Sequence, residues 1–399
     1  MRATFLPFAR PDVGADELDE VREVLESGWL TTGPKAARFE SEFAARVGAP
    51  HAVAVASGTA ALHLALVALG VGRDDVVLTT PYTFAATAEA VRYLDARPLF
   101  VDVEPDTLNL SPAALDDAAA RARRVHGDRL RAVIAVHLAG HPCDMDGLTA
   151  VAGRHGLAVV EDAAHAFPAT YRGRPVGTAE ASVACFSFYA TKALTTGEGG
   201  MITTADAAVA ERCRMLTLHG IDRDVWRRGG SRASWRYEVV APGYKANLSD
   251  LAAALGLAQL RRADLMWKRR SQIAARYAEA FAAEAALDPP VARPDVEHAW
   301  QLYLLRLRAG ARAGGSDPEQ ARDAFVEALA RRNIGASVHF KPLHLHRYYR
   351  ERHGCRPGDC PVAEREWRRE VSLPLYSRMT DSDVRDVIRA VGDVVHGRA

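Results

Sequence analysis

Six short runs of consecutive apolar residues, separated by helix-like text, constrain the fold of this 399-residue chain more than any other feature. They are HAVAVAS (51–57), DVVLTT (75–80), RPLFVDV (97–103), RAVIAVHLAG (131–140), LAVVEDAA (157–164) and ASVACFSF (181–188). A strand wetted on one face alternates polar and apolar residues, whereas an unbroken apolar run suits a strand covered on both faces. The intervening stretches, such as GTAALHLALVALG and TFAATAEAVRYL, carry helical patterning. Alternating β and α units predict an α/β fold, a mostly parallel sheet flanked by helices. GEGGMITT (197–204) reads differently: its glycines feed a short strand expected to close the sheet antiparallel.

After residue 205 the texture changes. AVAERCRMLTLHG leads into an irregular charged stretch, IDRDVWRRGGSRASWRYEVVAPGYKANLSD. A long helical pattern then runs from about Leu251 to Ala286 and ends at DPP (288–290). Beyond it come a strand (299–308), a loop (311–319), a helix from Asp317 to Arg332 and a terminal helix from Asp381. This length and pattern predict a large α/β domain over 1–255 and a smaller α+β domain over 256–399, with the boundary inside the long helix.

Lys+Arg 51 against Asp+Glu 50 leaves a formal charge of +1, so no global polycation argues for a nucleic-acid partner. Five widely spaced cysteines without a C-x-x-C pair fit a reduced, cytoplasmic protein. The opening MRATFLPFARPDVGADELDE lacks the apolar stretch of a signal peptide, and no run approaches the roughly 18 apolar residues of a membrane span. The chain is expected neither to enter nor to bind a membrane.

Only five of the 51 basic residues are lysine: Lys35, Lys192, Lys245, Lys268 and Lys341. A chain that uses arginine wherever any cation suffices makes each surviving lysine a candidate for chemistry that guanidinium cannot do. Imine formation is such chemistry, because it needs a primary amine able to lose its proton. For any single lysine chance persistence is the better explanation until its neighbours are read.

Lys192 follows a strand run and precedes a glycine-rich turn, in FSFYATKALTTGEGG. Ser187, five residues earlier, offers a hydroxyl to a phosphate oxygen. Asp162 falls at the carboxyl end of the preceding strand, with His165 just beyond, and open α/β sheets bind ligands at that edge. Ser57-Gly58-Thr59 links the first strand to a helix whose N-terminal amides suit an anion. Each element has an ordinary explanation: a strand-end aspartate or SGT caps helices, and a lone histidine is usually structural. Taken together they meet the needs of pyridoxal 5'-phosphate (PLP): a lysine imine, a carboxylate facing the pyridinium nitrogen and a phosphate cradle.

The strings TTGPKAARFESEFAARVG, SGTAALHLALVALGVG, VHLAGHPCDMDGL, VVEDAAHAFPATYRGRPVG, FSFYATKALTTGEGGM and PGYKANLSDLAAALGLAQL resemble the DegT/DnrJ/EryC1/StrS family of sugar aminotransferases, within fold-type I of the PLP enzymes. The resemblance runs from about residue 8 to 395. It implies that Lys192 carries PLP as an imine and then moves protons. It implies that Asp162 pairs with the pyridine nitrogen and that His165 bonds the ring's 3-hydroxyl. Thr59, the backbone of Gly58 and Ala60, and Ser187 would hold the phosphate, and Phe84 would lie on the pyridine face unless it is a plain core residue. Asn247 would reach the phosphate of a second subunit, making the homodimer obligatory.

Dehydrating members of the family carry histidine at the lysine position, so Lys192 implies an aminotransferase. The family's substrates are nucleotide-linked keto sugars, with L-glutamate as donor and the pyridoxamine form as intermediate. GYKANLSD and VHFKPLHLHRYY look closest to members that aminate carbon 4, which favours a dTDP- or UDP-linked 4-keto-6-deoxyhexose over a 3-keto sugar or a cyclitol. A PLP- or sugar-nucleotide-binding regulator is the alternative of another class, and loss of Lys192 or Asp162 would have favoured it. A nicotinamide enzyme is set aside, because no G-x-G-x-x-G follows the first strand.

In HFKPLHLHRYYRERHGCR (339–356), the histidines with Cys355 and Cys360 match no standard zinc spacing, and no metal is expected. Lys341, Arg347, Arg350 and Arg352 beside Tyr348 and Tyr349 suit a diphosphate and a nucleobase, or are simply a solvated helix face. His339 and Lys341, at the end of the strand-like GASVHF and just after it, are the substrate candidates. Trp226 and Trp235, in the 221–240 stretch, are a second candidate wall for the nucleotide.

Overall fold

Burial on both faces gathers the six apolar runs and the glycine-fed segment into one seven-stranded sheet. The computed structural model describes residues 2–178, 182–222, 237–308 and 317–398. Trp226 and Trp235 lie outside the described residues, as does most of the 311–319 loop. The strands are β1 (His51–Val55), β2 (Val76–Thr79), β3 (Arg97–Phe100), β4 (Leu130–Val136), β5 (Ala158–Asp162), β8 (Ser182–Ser187) and β9 (Gly200–Thr204), in the order β1-β9-β8-β5-β4-β2-β3. The two-residue strands β6 (Thr170–Tyr171), β7 (Arg174–Pro175) and β11 (Val296–Glu297) form a separate small sheet.

Alternate residues of each strand feed opposite cores. Val53, Val77, Ile134, Val160 and Val183 meet α3 (Gly58–Ala68) and α7 (Ala207–Leu216) on one face. Val76, Leu78, Val133 and Val159 meet α5 (Pro112–His126) and α6 (Met145–His155) on the other. Each such side chain, fully buried, stabilises the fold by about 1.5–3 kcal/mol. The remaining helices of this part are α1 (Ala15–Ser27), α2 (Pro34–Val47) and α4 (Ala85–Arg92).

β9 is antiparallel, as its glycines suggested, but it does not close the sheet. It runs between β8 and β1, and β1 takes the edge. The register sets Gly200 opposite Val55 on one side and Ser187 on the other, so the turn after β1 and the end of β8 flank a glycine. A Cβ at Gly200 would stand 2.6 Å from the Ser57 carbonyl carbon, closer than any packing permits.

The long helix, α8 (Asp250–Phe281), stops five residues before the expected Ala286. Its alanine-rich pattern continues past that point, but Leu287 and Asp288 are drawn into β10 (Leu287–Asp288) against β12 (Tyr303–Leu307). Arg308 and Arg369 fix the Asp288 carboxylate there, each at 2.6 Å. β12 itself starts later than expected because Trp300 is in the left-handed region, φ 53°. β13 (Glu370–Leu373) completes a three-stranded sheet packed on α9 (Pro318–Arg331), α12 (Asp381–Val395) and the C-terminal half of α8. Leu6 joins this second core through a bridge to Ile334. Two short helices, α10 (Arg347–His353) and α11 (Pro361–Trp367), follow α9 in the chain.

Five phenylalanines tie α2 to the strand that leads to Lys192. The Phe43 ring meets Phe39, Phe167, Phe186 and Phe188 at centroid distances of 5.0–6.0 Å, and Phe43 is fully buried. Phe186 and Phe188 flank Ser187, so their packing fixes where its hydroxyl sits. Phe43→Ala is expected to lower the free energy of unfolding by about 3–5 kcal/mol, read as a shifted urea midpoint with little change in slope.

Candidate active site

The carboxyl ends of β5 and β8 and the first turn of α3 converge on one recess. Asp162 is the last residue of β5, buried, in register with Val136 of β4 and Cys185 of β8. Its Oδ2 accepts from the Thr87 hydroxyl at 2.7 Å, and its Oδ1 from the Ala164 amide at 3.2 Å. Thr87 is held in turn by the Thr83 hydroxyl at 2.7 Å. Among the described residues no lysine, arginine or histidine nitrogen comes within salt-bridge distance of this carboxylate. Burial raises its pKa, and Thr87, Ala164 and the charges of Lys192 and His137 only pull it back in part.

Lys192 lies in the turn after β8, its amide donating to the Tyr189 carbonyl at 2.9 Å. Desolvation lowers its ammonium to about 8, with the Asp162 charge opposing the drop. An amine at that value is about half neutral near pH 8, where an exposed lysine is almost wholly charged.

His165 follows on the turn beyond β5. Its Nδ1 accepts from the Ala139 amide at 3.3 Å, which leaves Nε2 to carry the hydrogen of the neutral ring. Desolvation first, then Lys192 and His339, hold its pKa well below the usual histidine value. Phe340 stacks on it at 6.1 Å, and Phe84, 61% exposed at the N-terminus of α4, stands 5.8 Å from Phe340.

On the far side of the recess, Ser57 caps α3 by accepting from the Ala60 amide at 3.1 Å. The Ala60 amide is therefore engaged within the cap, while Gly58 and Thr59 are the first-turn positions whose amides have no helical acceptor. A Cβ on Gly58 would lie 2.8 Å from that of Ser187, so only glycine lets the helix end meet the serine. Asn247 bridges to Val55 just before this turn; its amide donates to the Thr32 hydroxyl at 2.6 Å and its oxygen accepts from Lys245.

His339 and Lys341 part company. His339 is half-buried near Lys192, its Nδ1 2.8 Å from the Ser372 hydroxyl. Exposed Lys341 instead sits over the Trp367 ring at 5.7 Å. The cations of α10 are dispersed: Arg347 pairs with Glu351, and Arg352 and His353 line a cleft of about 650 Å³ with Arg73, Arg92, Arg97 and Arg129. That cleft lies at the amino ends of β2, β3 and β4, the edge opposite Asp162, so the end of α10 is not beside the recess. The histidines of 339–356 are dispersed too, His344 bonding Glu364 at 2.8 Å. Among the described residues no cluster of three or more histidine, cysteine, aspartate or glutamate side chains is placed for a metal ion. No described helix is long and apolar enough to cross a membrane.

Sequence reasoning did not single out Thr87, Gln301, Glu370 or Ser372. Gln301 donates to the Thr191 carbonyl at 2.9 Å, next to Lys192, and its buried Oε1 has no protein partner. A glutamine inside the apolar run AWQLYLL was the available signal; Thr87 lay in plain view three residues after Phe84.

These residues fit PLP. A buried carboxylate without a cationic partner suits a protonated ring nitrogen, a low-pKa lysine suits an aldehyde, and the Gly58–Ser187 contact leaves first-turn amides beside a hydroxyl for a phosphate. The model of the DegT/DnrJ/EryC1/StrS aminotransferase family matches residues 11–392. The spore coat polysaccharide biosynthesis protein SpsC of Bacillus subtilis is 49% identical over 400 residues, covering 99% of this chain and 98% of its own. Among solved structures, Spr1654 of Streptococcus pneumoniae, assigned as a sugar aminotransferase and seen in PLP and PMP forms, is 32% identical with a TM-score of 0.88, over 98% of this chain and 99% of that one. DesV of S. venezuelae is 36% identical with a TM-score of 0.83, over 95% and 94%. The chain belongs to the DegT/DnrJ/EryC1/StrS aminotransferase family, with the fold-type I architecture and the PLP cofactor of its sugar aminotransferases.

Proposed function

We propose that this aminotransferase moves the amino group of L-glutamate to a dTDP- or UDP-linked 4-keto-6-deoxyhexose, giving the 4-amino sugar in a ping-pong cycle. The observation that carries the chemistry is the pairing of a depressed lysine with a buried carboxylate that, among the described residues, no cation reaches within salt-bridge distance. When bound, PLP supplies an aldehyde that takes up amines and a ring that accepts the electron pair freed at the substrate carbon.

Lys192 Nζ, neutral in a useful fraction near pH 8, acts as the nucleophile. It then takes a proton from the donor's α-carbon and returns one to the sugar carbon. Asp162 holds a negative charge opposite the ring nitrogen, aimed by Thr87 and the Ala164 amide. His165, neutral and tied at Nδ1, offers Nε2–H to the ring's oxygen. Gly58, Thr59 and Ser187 receive the phosphate. Phe84 and Phe340 give the mouth an apolar wall that suits the C–H face of a deoxy sugar. His339 is the substrate-side polar group; Lys341, turned toward Trp367, has less support in that role.

We further propose that the active unit is a cytoplasmic homodimer in which Asn247 serves the partner subunit's phosphate site. Asn247 pairs by its backbone with Val55 of its own chain, its role toward the partner rests on the family resemblance, and the five free cysteines suit a reducing compartment.

Purified protein with glutamate and a panel of dTDP- and UDP-linked 4-keto and 3-keto sugars and a keto-cyclitol should aminate a 4-keto sugar, read by product mass and proton couplings. Amination of the 3-keto sugar or cyclitol alone would refute the assignment. Lys192→Ala should lose both turnover and the visible absorbance of bound PLP. Asp162→Asn should retain PLP but lose about 10²–10³-fold in kcat, since it removes a charge aimed at the developing ring charge. Mixed Lys192→Ala and Asn247→Ala chains should regain part of the activity once subunits exchange; no recovery would mean that each subunit works alone.

A further inference from the structure

A polar chain enters the recess from the second domain. Glu370 and Ser372 are alternate residues of β13 and so share a face. Ser372 exchanges backbone hydrogen bonds with Ser337 at 2.8 and 3.1 Å, which brings His339 alongside. Glu370 Oε2 accepts from the His339 amide at 2.8 Å, Glu370 Oε1 lies 2.5 Å from Ser372 Oγ, and that oxygen lies 2.8 Å from His339 Nδ1. His339 stacks on Phe8 and meets Phe340 edge-on; burial and the Lys192 charge oppose its protonation, and a charge on His339 would oppose that of His165.

Glu370 is fully buried, and its neighbours' charges are committed elsewhere. Arg306 bonds Glu366 at 3.2 Å, Arg322 bonds Asp323 at 2.6 Å, and the nearby Tyr82 hydroxyl is buried without a partner. Among the described residues no cation pairs with Glu370. Burial pushes its carboxyl up to about 8, with Ser372, the His339 amide and Arg322 opposing.

The single hydroxyl hydrogen of Ser372 makes the chain directional. If Glu370 holds a proton, it donates to Ser372 Oγ, Ser372 donates to His339 Nδ1, and the hydrogen of the neutral imidazole sits on Nε2. If Glu370 is ionised, Ser372 donates to it and accepts from Nδ1–H, and Nε2 becomes a bare acceptor. We propose that Glu370 is a proton-carrying positioning residue that, through Ser372, sets the tautomer of His339 and makes its Nε2–H the donor offered to a substrate oxygen beside Lys192. The idea that this oxygen belongs to the keto sugar rests on the function proposed above; the tautomer does not.

The test uses 15N-histidine-labelled holoenzyme, with the His339 resonances identified by their loss in His339→Gln. At pH 7 the shifts should show a bare Nδ1 and a protonated Nε2, and raising the pH to 9.5 should move the hydrogen to Nδ1. Glu370→Gln keeps a donor for Ser372 and an acceptor for the His339 amide but has no proton to lose, so its pattern should not change with pH. Ser372→Ala should give a mixture of tautomers at every pH. The KM for the keto sugar should rise about tenfold over the same range in the wild type, the cost of one lost hydrogen bond, and stay flat in Glu370→Gln. Lys192 titrates in both proteins, so its limb in kcat does not confuse the reading. Nδ1–H at pH 7, or an unchanged transition in Glu370→Gln, would overturn the proposal. The wild-type titration decides even if Ser372→Ala fails to fold. A normal tautomer switch without sugar turnover would discredit the substrate rather than the relay.

Discussion

Desolvation at the carboxyl edge of the sheet is the constraint on which the rest turns. Removing water penalises whichever form is charged, so it lowers Lys192 and raises Asp162 with one cause. Neither shift would persist at an exposed edge, where solvent would screen both groups. The sheet makes the dry edge possible: strands buried on both faces bring the end of β5 and the turn after β8 into a site roofed by Phe340 and floored by Thr87. A cofactor with a protonated nitrogen and an aldehyde relieves both penalties at once, which gives the site its chemical preference.

The smaller core, packed around β12 and β13, does more than cover this site. β13 brings Glu370 and Ser372 to His339, and Gln301, just before β12, reaches the backbone beside Lys192. Under the proposed function, recognition of the second substrate would fall mostly to the smaller core and the hold on the cofactor to the larger one. Such a division suits a ping-pong enzyme, which keeps one ligand and exchanges two others through the same opening.

The parts of the site that were legible in the sequence are those with local signals. Lys192 stood out because the chain has so few lysines, and Asp162, His165 and Ser187 because they end apolar runs. The strands themselves were legible because continuous apolar text marks burial on both faces. What was hidden depends on contacts between distant segments. Thr87 bonds Asp162 across 75 residues, and Ser372 meets His339 across 33. The place of β9 inside the sheet depends on pairing with β1, far away in sequence, and no local pattern encodes it. The end of α8 depends on distant contacts too, since Leu287 and Asp288 pair with β12 and Arg308 and Arg369 hold the Asp288 carboxylate.

α8 contributes Ala253 and Leu257 to one core and Ile273, Tyr277 and Phe281 to the other. At 32 residues it is a rod about 48 Å long with no break. Neither core can melt without stripping packing from the same rod, so heat damage begun at one end is resisted from the other. A ligand that tightens the larger core therefore lends thermal endurance to strands it never touches.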